Sequence, residues 1–325
     1  MNGFIISLDF ELFWGVRDSR GEEYFTVLKN VHQVVPKLLQ LFNKYNVACT
    51  WAGVGALCAN DYDSFVNNTP KLLPSYKDTK YSPFHDLDYL SSLDPKLLFA
   101  PDLVTAITNT PNQEFASHTY SHFYCLEQGQ IITEFTADLK ACTDIVAAKQ
   151  ISLRSLVFPR NQFNSDYLTV CKQQGLIAYR GNPEHWAYKA ESRNERSAIK
   201  RLFRLIDTYI PLSGSLRQQV KLDKASGMVD VPASLFFRPY SSKLRFLDGI
   251  KLRRLKWSMT RTAKKGGVFH LWWHPHNFGQ YTEQNLQQLE LLLQHYQMLN
   301  KRYGFKSVTM QQAATQFLAG KACGT

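Results

Sequence analysis

Asp9-Phe10-Glu11 sets two carboxylates two residues apart, so an extended backbone points both the same way. Such a pair suits a division of labour in which one acid binds a metal ion and its neighbour takes a proton. His118-Thr119-Tyr120-Ser121-His122 adds two imidazoles at i and i+4. On a helical turn these share a face with Cβ atoms about 5–6 Å apart, a bite that suits one divalent ion. Two imidazoles, a carboxylate and an open position are the donor pattern of a hydrolytic zinc site. Arg160 follows an apolar run at 153–158 and is a candidate bidentate partner for a catalytic carboxylate. The run 268–273 ends in Trp272-Trp273 and continues into His274-Pro275-His276-Asn277, an apolar wall beside a candidate general acid. Ordinary structural roles compete with each reading: a helix cap, aromatic core packing or a salt bridge. Strand alternation would give one of the two Trp to the core.

The elements that must position these groups read as repeated βα units. Strands are expected at 4–8, 47–51, 114–117, 153–158, 176–179, 228–231 and 268–273, each short, apolar and bounded by turn or charge signals. Helical spacing of apolar residues runs through 27–42, with Pro36 an expected kink, and through 95–108, 131–148, 165–174 and 282–303. A last strand-helix pair starts at Lys306. This alternation predicts an α/β fold with a parallel sheet, closed as a barrel or open and doubly wound. In either case sites form at the carboxyl ends of strands. Asp9 and Glu11, His118 and His122, Arg160, and His274 and His276 follow four separate strands at that edge. A polar, Pro-containing stretch at about 60–94 reads as an insertion with little regular structure, and 180–226 with the basic stretch after it departs from the rhythm.

Taken in order, these pieces resemble the polysaccharide deacetylase family, or NodB-homology domain. Ile6-Ser7-Leu8-Asp9-Phe10-Glu11 is similar to its first motif, Val47-Ala48-Cys49-Thr50-Trp51 to its second strand, and Glu114 to His122 to its metal motif nearly residue for residue. Phe158-Pro159-Arg160 resembles the arginine motif, and Phe269 to His274 the final strand with its histidine acid. The resemblance spans about 3–277 and thins between 180 and 265. It implies an irregular (β/α) barrel with inserted loops, a single domain over 1–325 with insertions at about 60–94 and, basic and helical, about 180–265. It also implies metal-dependent hydrolysis of an amide, removing N-acetyl from an amino sugar of a cell-surface polysaccharide or of its lipid- or nucleotide-linked precursor. Glu11, His118 and His122 would hold a divalent metal, zinc by default, with cobalt, nickel or manganese as alternatives. Asp9 would be the base, Arg160 would orient Asp9, and His274 would be the acid with His276 as its alternative. Trp273, His276 and Asn277 would contact substrate. Two departures matter: Phe10 stands where the family usually has a second aspartate, which leaves the roles of Asp9 and Glu11 interchangeable, and Pro159-Arg160 inverts the usual order. Hydrolysis of a small amide or ureide, and an inactive carbohydrate-binding relative, are the competing readings.

Composition bounds the setting. With 325 residues, 44% hydrophobic, 13% aromatic and 20% charged, the chain can bury a large core and is not disordered. The net charge of +11 is local: residues 193–204 carry net +4 and 243–265 net +8, leaving the remainder near neutral. Local positive charge points to an anionic partner at one surface. In 243–265 the charge interleaves with Leu, Ile, Phe and Trp, the pattern of a peripheral membrane helix. No nucleic-acid motif accompanies it, so no nucleic-acid partner is expected. The longest uncharged apolar run, 47–59, has 13 residues, against about 20 for a membrane span. No targeting segment is visible, and the six cysteines (Cys49, Cys58, Cys125, Cys142, Cys171, Cys323) form no CxxC pair. Reduced core thiols and a cytoplasmic location, with contact at the inner face of the membrane, are the expectation.

Overall fold

A computed structural model describes every residue except 193, 194, 196 and 323–325. Arg193 and Arg196 of the first basic stretch, and Cys323, thus lie outside the described residues. Strand β1 (Asn2–Phe10) is the longest, with β2 (Cys49–Gly53), β3 (Gln113–Ser117), β4 (Ser155–Leu156) and β5 (Ala178–Tyr179) following along the chain. Then come β6 (Lys221–Leu222), β7 (Val229–Asp230), β8 (Leu235–Phe236), β9 (Gly267–Trp273) and β10 (Lys306–Ser307). They form one ten-stranded sheet in the order β6-β7-β5-β4-β3-β2-β1-β9-β8, with β10 also on β1. The pairs are parallel except β6–β7. The helices that cover it are α1 (Val31–Lys44), α2 (Pro101–Asn109), α3 (Ile132–Ala147), α4 (Ser165–Gln173), α5 (Ala198–Asp207), α6 (Asp248–Lys265), α7 (Thr282–Tyr303) and α8 (Met310–Ala322).

The sheet curls into the expected irregular (β/α) barrel, and one extended segment spans its open side. Val229 and Val231 donate to Ile177 and Tyr179 of the β5 region, then Ser234 and Phe237 donate to His270 and Trp272 of β9. The segment 229–237 therefore changes partner between 233 and 234 and joins the two edges. It follows that 180–265 is not an insertion throughout, since β6, β7 and β8 belong to the sheet. The 60–94 stretch is also more regular than expected, with short helices at Tyr62–Asn67 and Leu87–Ser92, each capped by an aspartate. Pro36 lies within α1 rather than ending it.

Alternation sorts the strands into two layers. Phe4, Ile6, Leu8 and Phe10 of β1, with Phe269, Leu271 and Trp273 of β9, face the helices in one large apolar cluster. Ile5, Ala52, Ala116, Val157, Ala178 and Val268 face the lumen and pack on Met310, Ala313 and Ala314. Helix α8 plugs the barrel at the strand N-termini; small side chains are what the narrow lumen admits. The polar residues Ser7 and His270 sit above this layer, fully buried. Helix α6 lays Leu255, Met259 and Ala263 against the barrel, leaving Phe246, Ile250 and Trp257 exposed along the basic stretch. No helix among the described residues is long and apolar enough to cross a membrane. The five described cysteines are free and buried.

The same alternation corrects the expectation for Trp273. It is wholly buried against Phe237 and Phe278, at ring distances of 5.4 and 5.5 Å, while Trp272 turns to the lumen and the cavity above it. Trp273→Ala should therefore lower unfolding free energy by about 3–5 kcal/mol in a urea titration. Trp272→Ala, at a half-buried position, should lose clearly less; equal losses would contradict this division of faces.

Candidate metal centre and its cavity

Glu11 leaves the end of β1 at the mouth of the barrel and is 4% exposed. Four imidazoles converge on its carboxylate. His122 and His118 place Nε2 at 3.0 and 3.4 Å from Oε2. His276 and His274 place Nε2 at 3.2 and 3.6 Å from Oε1. Burial alone would raise the Glu11 carboxyl, but the charge of His274 and the hydrogen bonds of His118, His122 and His276 hold it well below the ordinary value. Gly15 makes room for it: a Cβ there would lie 1.9 Å from Glu11 Cδ.

The two histidines of the H-x-x-x-H motif do not sit on a helical turn. They lie in an irregular loop after β3, where Thr119 and His122 are both left-handed with φ of 63° and 61°. That loop still brings the rings to 5.0 Å between centroids. Asp138 of α3 holds it in shape, accepting from the backbone N–H of Tyr120 at 2.7 Å and of Ser121 at 3.2 Å, and from the Ser121 hydroxyl. Burial pushes the Asp138 carboxyl up to about 6 against these hydrogen bonds. Nothing in the sequence near the motif signals Asp138, which comes from the next helix.

The donor set of Glu11, His118 and His122 fits a divalent ion. His118 Nδ1 lies 2.7 Å from the Val157 carbonyl, which only an N–H can satisfy, so Nε2 turns its lone pair toward a carboxylate oxygen. Two lone pairs facing one another repel, and a bound cation relieves that repulsion. The three ligand atoms lie within 4.8 Å of one another. Their 3.0 and 3.4 Å contacts match the edge of about 3.3 Å that bonds of about 2.0–2.1 Å give a tetrahedron. Glu11, His274 and His276 satisfy the same distance test, but the hydrogen bonds of His276 differ. Its Nδ1 faces the Tyr24 hydroxyl at 2.9 Å and the Asn277 amide at 3.5 Å, two donors, which leaves Nε2 protonated and donating to Glu11.

Asp9 has a different partner. Arg180, just past β5, donates to it through Nη1 to Oδ1 at 2.6 Å and Nη2 to Oδ2 at 2.8 Å, and is wholly buried. Burial would raise the Asp9 carboxyl; the Arg180 charge and hydrogen bonds outweigh it and leave it below the ordinary value. Arg180 is itself fixed on three sides. Asn161 Oδ1 accepts from it at 2.9 Å, Ser7 Oγ accepts at 3.0 Å, and the Trp272 ring lies 4.5 Å away. Ser7 in turn donates to His270 Nε2 at 2.8 Å, since His270 Nδ1 faces the Val231 carbonyl. Burial drives His270 down to about 3, so it stays neutral.

Arg160 does not orient Asp9, contrary to expectation. It pairs with Asp18 and with Glu127 and lies 4.0 Å over the Tyr124 ring. The turn Pro159–Asn161 holds Arg160 and Asn161 both left-handed, and it is the Asn161 amide that reaches the arginine on Asp9. His274 has Nε2 at 3.7 Å from Asp9 Oδ2 and Nδ1 at 3.3 Å from Asn277 Oδ1. A cavity of about 430 Å³ opens over Asp9, Glu11, His122, Trp272 and His274. His276 and Asn277 are not among its lining residues: one braces Glu11 and the other braces His274. The expectation that they and Trp273 contact substrate is corrected accordingly. Arg180→Gln leaves a buried carboxylate unpaired and should cost about 3–5 kcal/mol in unfolding free energy. Adding Asp9→Asn should recover a clear part of that loss in a double-mutant cycle; purely additive losses would contradict the pairing.

Residues 21–179 match the family model described as polysaccharide deacetylase. A search of curated proteins finds no match. Among solved structures, a Mycobacterium smegmatis protein assigned as a polysaccharide deacetylase superposes with a TM-score of 0.61 at 11% identity, covering 98% of this chain and 92% of that one. A Pseudomonas aeruginosa PAO1 protein with the same assignment gives 0.58 at 11% identity, covering 96% and 89%. PuuE allantoinase gives 0.58 at 9% identity, covering 98% and 89%. At such identities these neighbours establish the shared fold alone. The barrel fold and the matched span from 21 to 179 are thus those of polysaccharide deacetylases, which this chain resembles.

Proposed function

We propose that this chain is a metal-dependent amide hydrolase that removes N-acetyl from an amino sugar of a cell-surface polysaccharide or its precursor. One observation carries the reading: two buried carboxylates share a strand end, and one is locked by an arginine while the other is ringed by imidazoles. That separation favours Glu11 as metal ligand, with His118 and His122, and Asp9 as base. Zinc is the default ion, with cobalt, nickel or manganese as alternatives. When bound, the ion supplies Lewis-acid polarisation of the acyl carbonyl and a lowered pKa for water.

The chain's own residues supply the rest. Asp9 takes the proton of the attacking water, and Arg180 keeps its carboxylate ionised and aimed. His274 is the acid: Asn277 binds its Nδ1, leaving Nε2 to deliver a proton to the departing amine. Asp9 Oδ2 and Glu11 Oε1 lie 3.7 and 3.6 Å from that Nε2. The carbon–nitrogen bond breaks, acetate and the amine leave, and Asp9 returns its proton to solvent. Trp272 gives the cavity an apolar wall against the sugar ring.

The localised positive charge supports an anionic carrier for the sugar, lipid or nucleotide. Phe246, Ile250 and Trp257 exposed beside Lys243, Arg245 and Arg253 support peripheral contact with the inner face of the membrane in a cytoplasmic enzyme. The test is acetate release from a panel of N-acetylated sugars, free, nucleotide-linked and lipid-linked, with and without chelator. Release that chelator abolishes is expected. His118→Ala with His122→Ala should lose both bound metal, read by elemental analysis, and activity by about a hundredfold or more. Metal content at the wild-type level in that variant would overturn the ligand assignment.

A further inference from the structure

The cavity extends beyond the groups that the proposed reaction uses, to a wall built by α5, the β8–α6 connection and α6. Arg201, Arg204, Arg238, Lys251 and Arg254 all line it. The carboxylates around that wall are already engaged: Glu191 with Lys200, Asp248 with Lys251, and Asp207 with Tyr188, Ser213 and Arg254. Arg201, Arg204 and Arg238 make no ion pair with a carboxylate among the described residues, and the acid that feels the Arg204 charge is Glu191, already paired with Lys200. Arg204 donates to the Ala187 carbonyl, Arg238 to the Thr208 hydroxyl at 3.3 Å, and the Arg201 guanidinium has no partner among the described residues. Burial pushes Arg238 below the ordinary arginine value, with only Tyr209 and Tyr188 opposing it. A cation held in a partly buried cavity without a counter-charge is unfavourable, and an anionic ligand removes that penalty.

Helix α5 is also turned against the usual rule for a surface helix. Arg201, Arg204 and Thr208, at i, i+3 and i+7, face the cavity. Ile199, Leu202 and Ile206 on the opposite side are 72%, 58% and 38% exposed. An amphipathic helix normally buries its apolar stripe; here the apolar stripe is exposed and the stripe that borders the cavity is basic.

We infer that Arg201, Arg204 and Arg238 form an anion subsite for a phosphate or diphosphate borne by the amino sugar, an inference that rests on the deacetylase reading. Guanidinium forks match phosphate oxygens in bidentate geometry, and three of them suit a group carrying two or more negative charges. The subsite would place the phosphate on the α5 wall and the acetamido group over Asp9 and Glu11. A nucleotide and a polyprenyl lipid present the same phosphate to these groups, so the test carries both.

Binding of N-acetylglucosamine 1-phosphate to the full chain stripped of metal, followed by calorimetry, reads the subsite independently of turnover. Arg204→Gln combined with Arg238→Gln should weaken binding by at least about tenfold, the loss of one or more charge-assisted hydrogen bonds. The Lys pair at the same positions should retain much of it, and Lys301→Gln, exposed near the end of α7 and away from the cavity, should change nothing. Thermal melts confirm folding, and Arg201→Gln, at an exposed position, supplies the same readout if the half-buried pair unfolds. Affinity equal to wild type in the Gln variants overturns the subsite. Acetate release is then compared for N-acetylglucosamine, its uridine diphosphate conjugate and its polyprenyl diphosphate conjugate in phosphatidylcholine vesicles. A preference of at least about tenfold in kcat/KM for one phosphate-bearing arm is expected, with that ratio collapsing in the Gln variant. Acetate release with no such preference removes the subsite and leaves the deacetylase reading standing. Variant-sensitive phosphate binding with no acetate release from any arm does the reverse.

Discussion

Two carboxylates buried side by side at the end of one strand would repel each other unless each had its own counter-charge. The Asp9–Arg180 pair resolves this. A bidentate guanidinium, itself buried, satisfies both oxygens of Asp9. Glu11 is thereby left to the four histidines, with no arginine paired to its oxygens among the described residues. Had Arg180 reached Glu11 instead, the histidine cage would have lost its negative centre. The chemical distinction between two similar acids is thus made by a residue on a strand well removed from them in the sheet.

The barrel makes that reach possible. Strand β5 lies four places from β1 in the sheet order, and only the curl of the sheet brings Arg180 across the lumen to Asp9. The lumen beneath is filled by alanine and valine and by the plug of α8, which leaves width above for a guanidinium and two carboxylates. Ser7 and His270 form the transition between those layers. Their side chains hand a chain of hydrogen bonds from the Val231 carbonyl up to Arg180, so the segment that joins the two sheet edges also fixes the arginine. Fold closure and site geometry are coupled through one buried serine.

Much of this was legible in the sequence. The strand ends delivered Asp9, Glu11, His118, His122 and His274 to one edge because period-two and period-3.6 patterns are strong in those segments. Arg180 was not legible, because β5 is only two residues long and sits where the alternation fails. Arg160 was misread for a related reason. It follows a clear strand, but its left-handed turn exchanges which neighbour faces Asp9, and such a turn is invisible without a glycine to mark it. The two adjacent Trp could not be separated by pattern alone, since a one-residue change of phase swaps their faces. His276 carried the opposite problem, a reactive residue type used to brace another acid.

The aromatic between the two acids follows from the same geometry. On an extended strand the residue after Asp9 must point to the opposite face, and Phe10 enters the helix-side core against Trp51, with ring centroids 6.4 Å apart. An acid there would be a buried charge among apolar rings, which is strongly disfavoured. The second carboxylate therefore has to come from position 11, where the strand has ended. From there it must reach back over the site, and glutamate has one more methylene than aspartate with which to do so. The backbone makes room by turning left-handed at Leu12, with φ of 45°, and by placing a glycine at 15 where any Cβ would collide with the carboxylate. The spacing, the longer acid and the missing side chain are three consequences of one requirement: that both acids face the lumen while the residue between them packs the core.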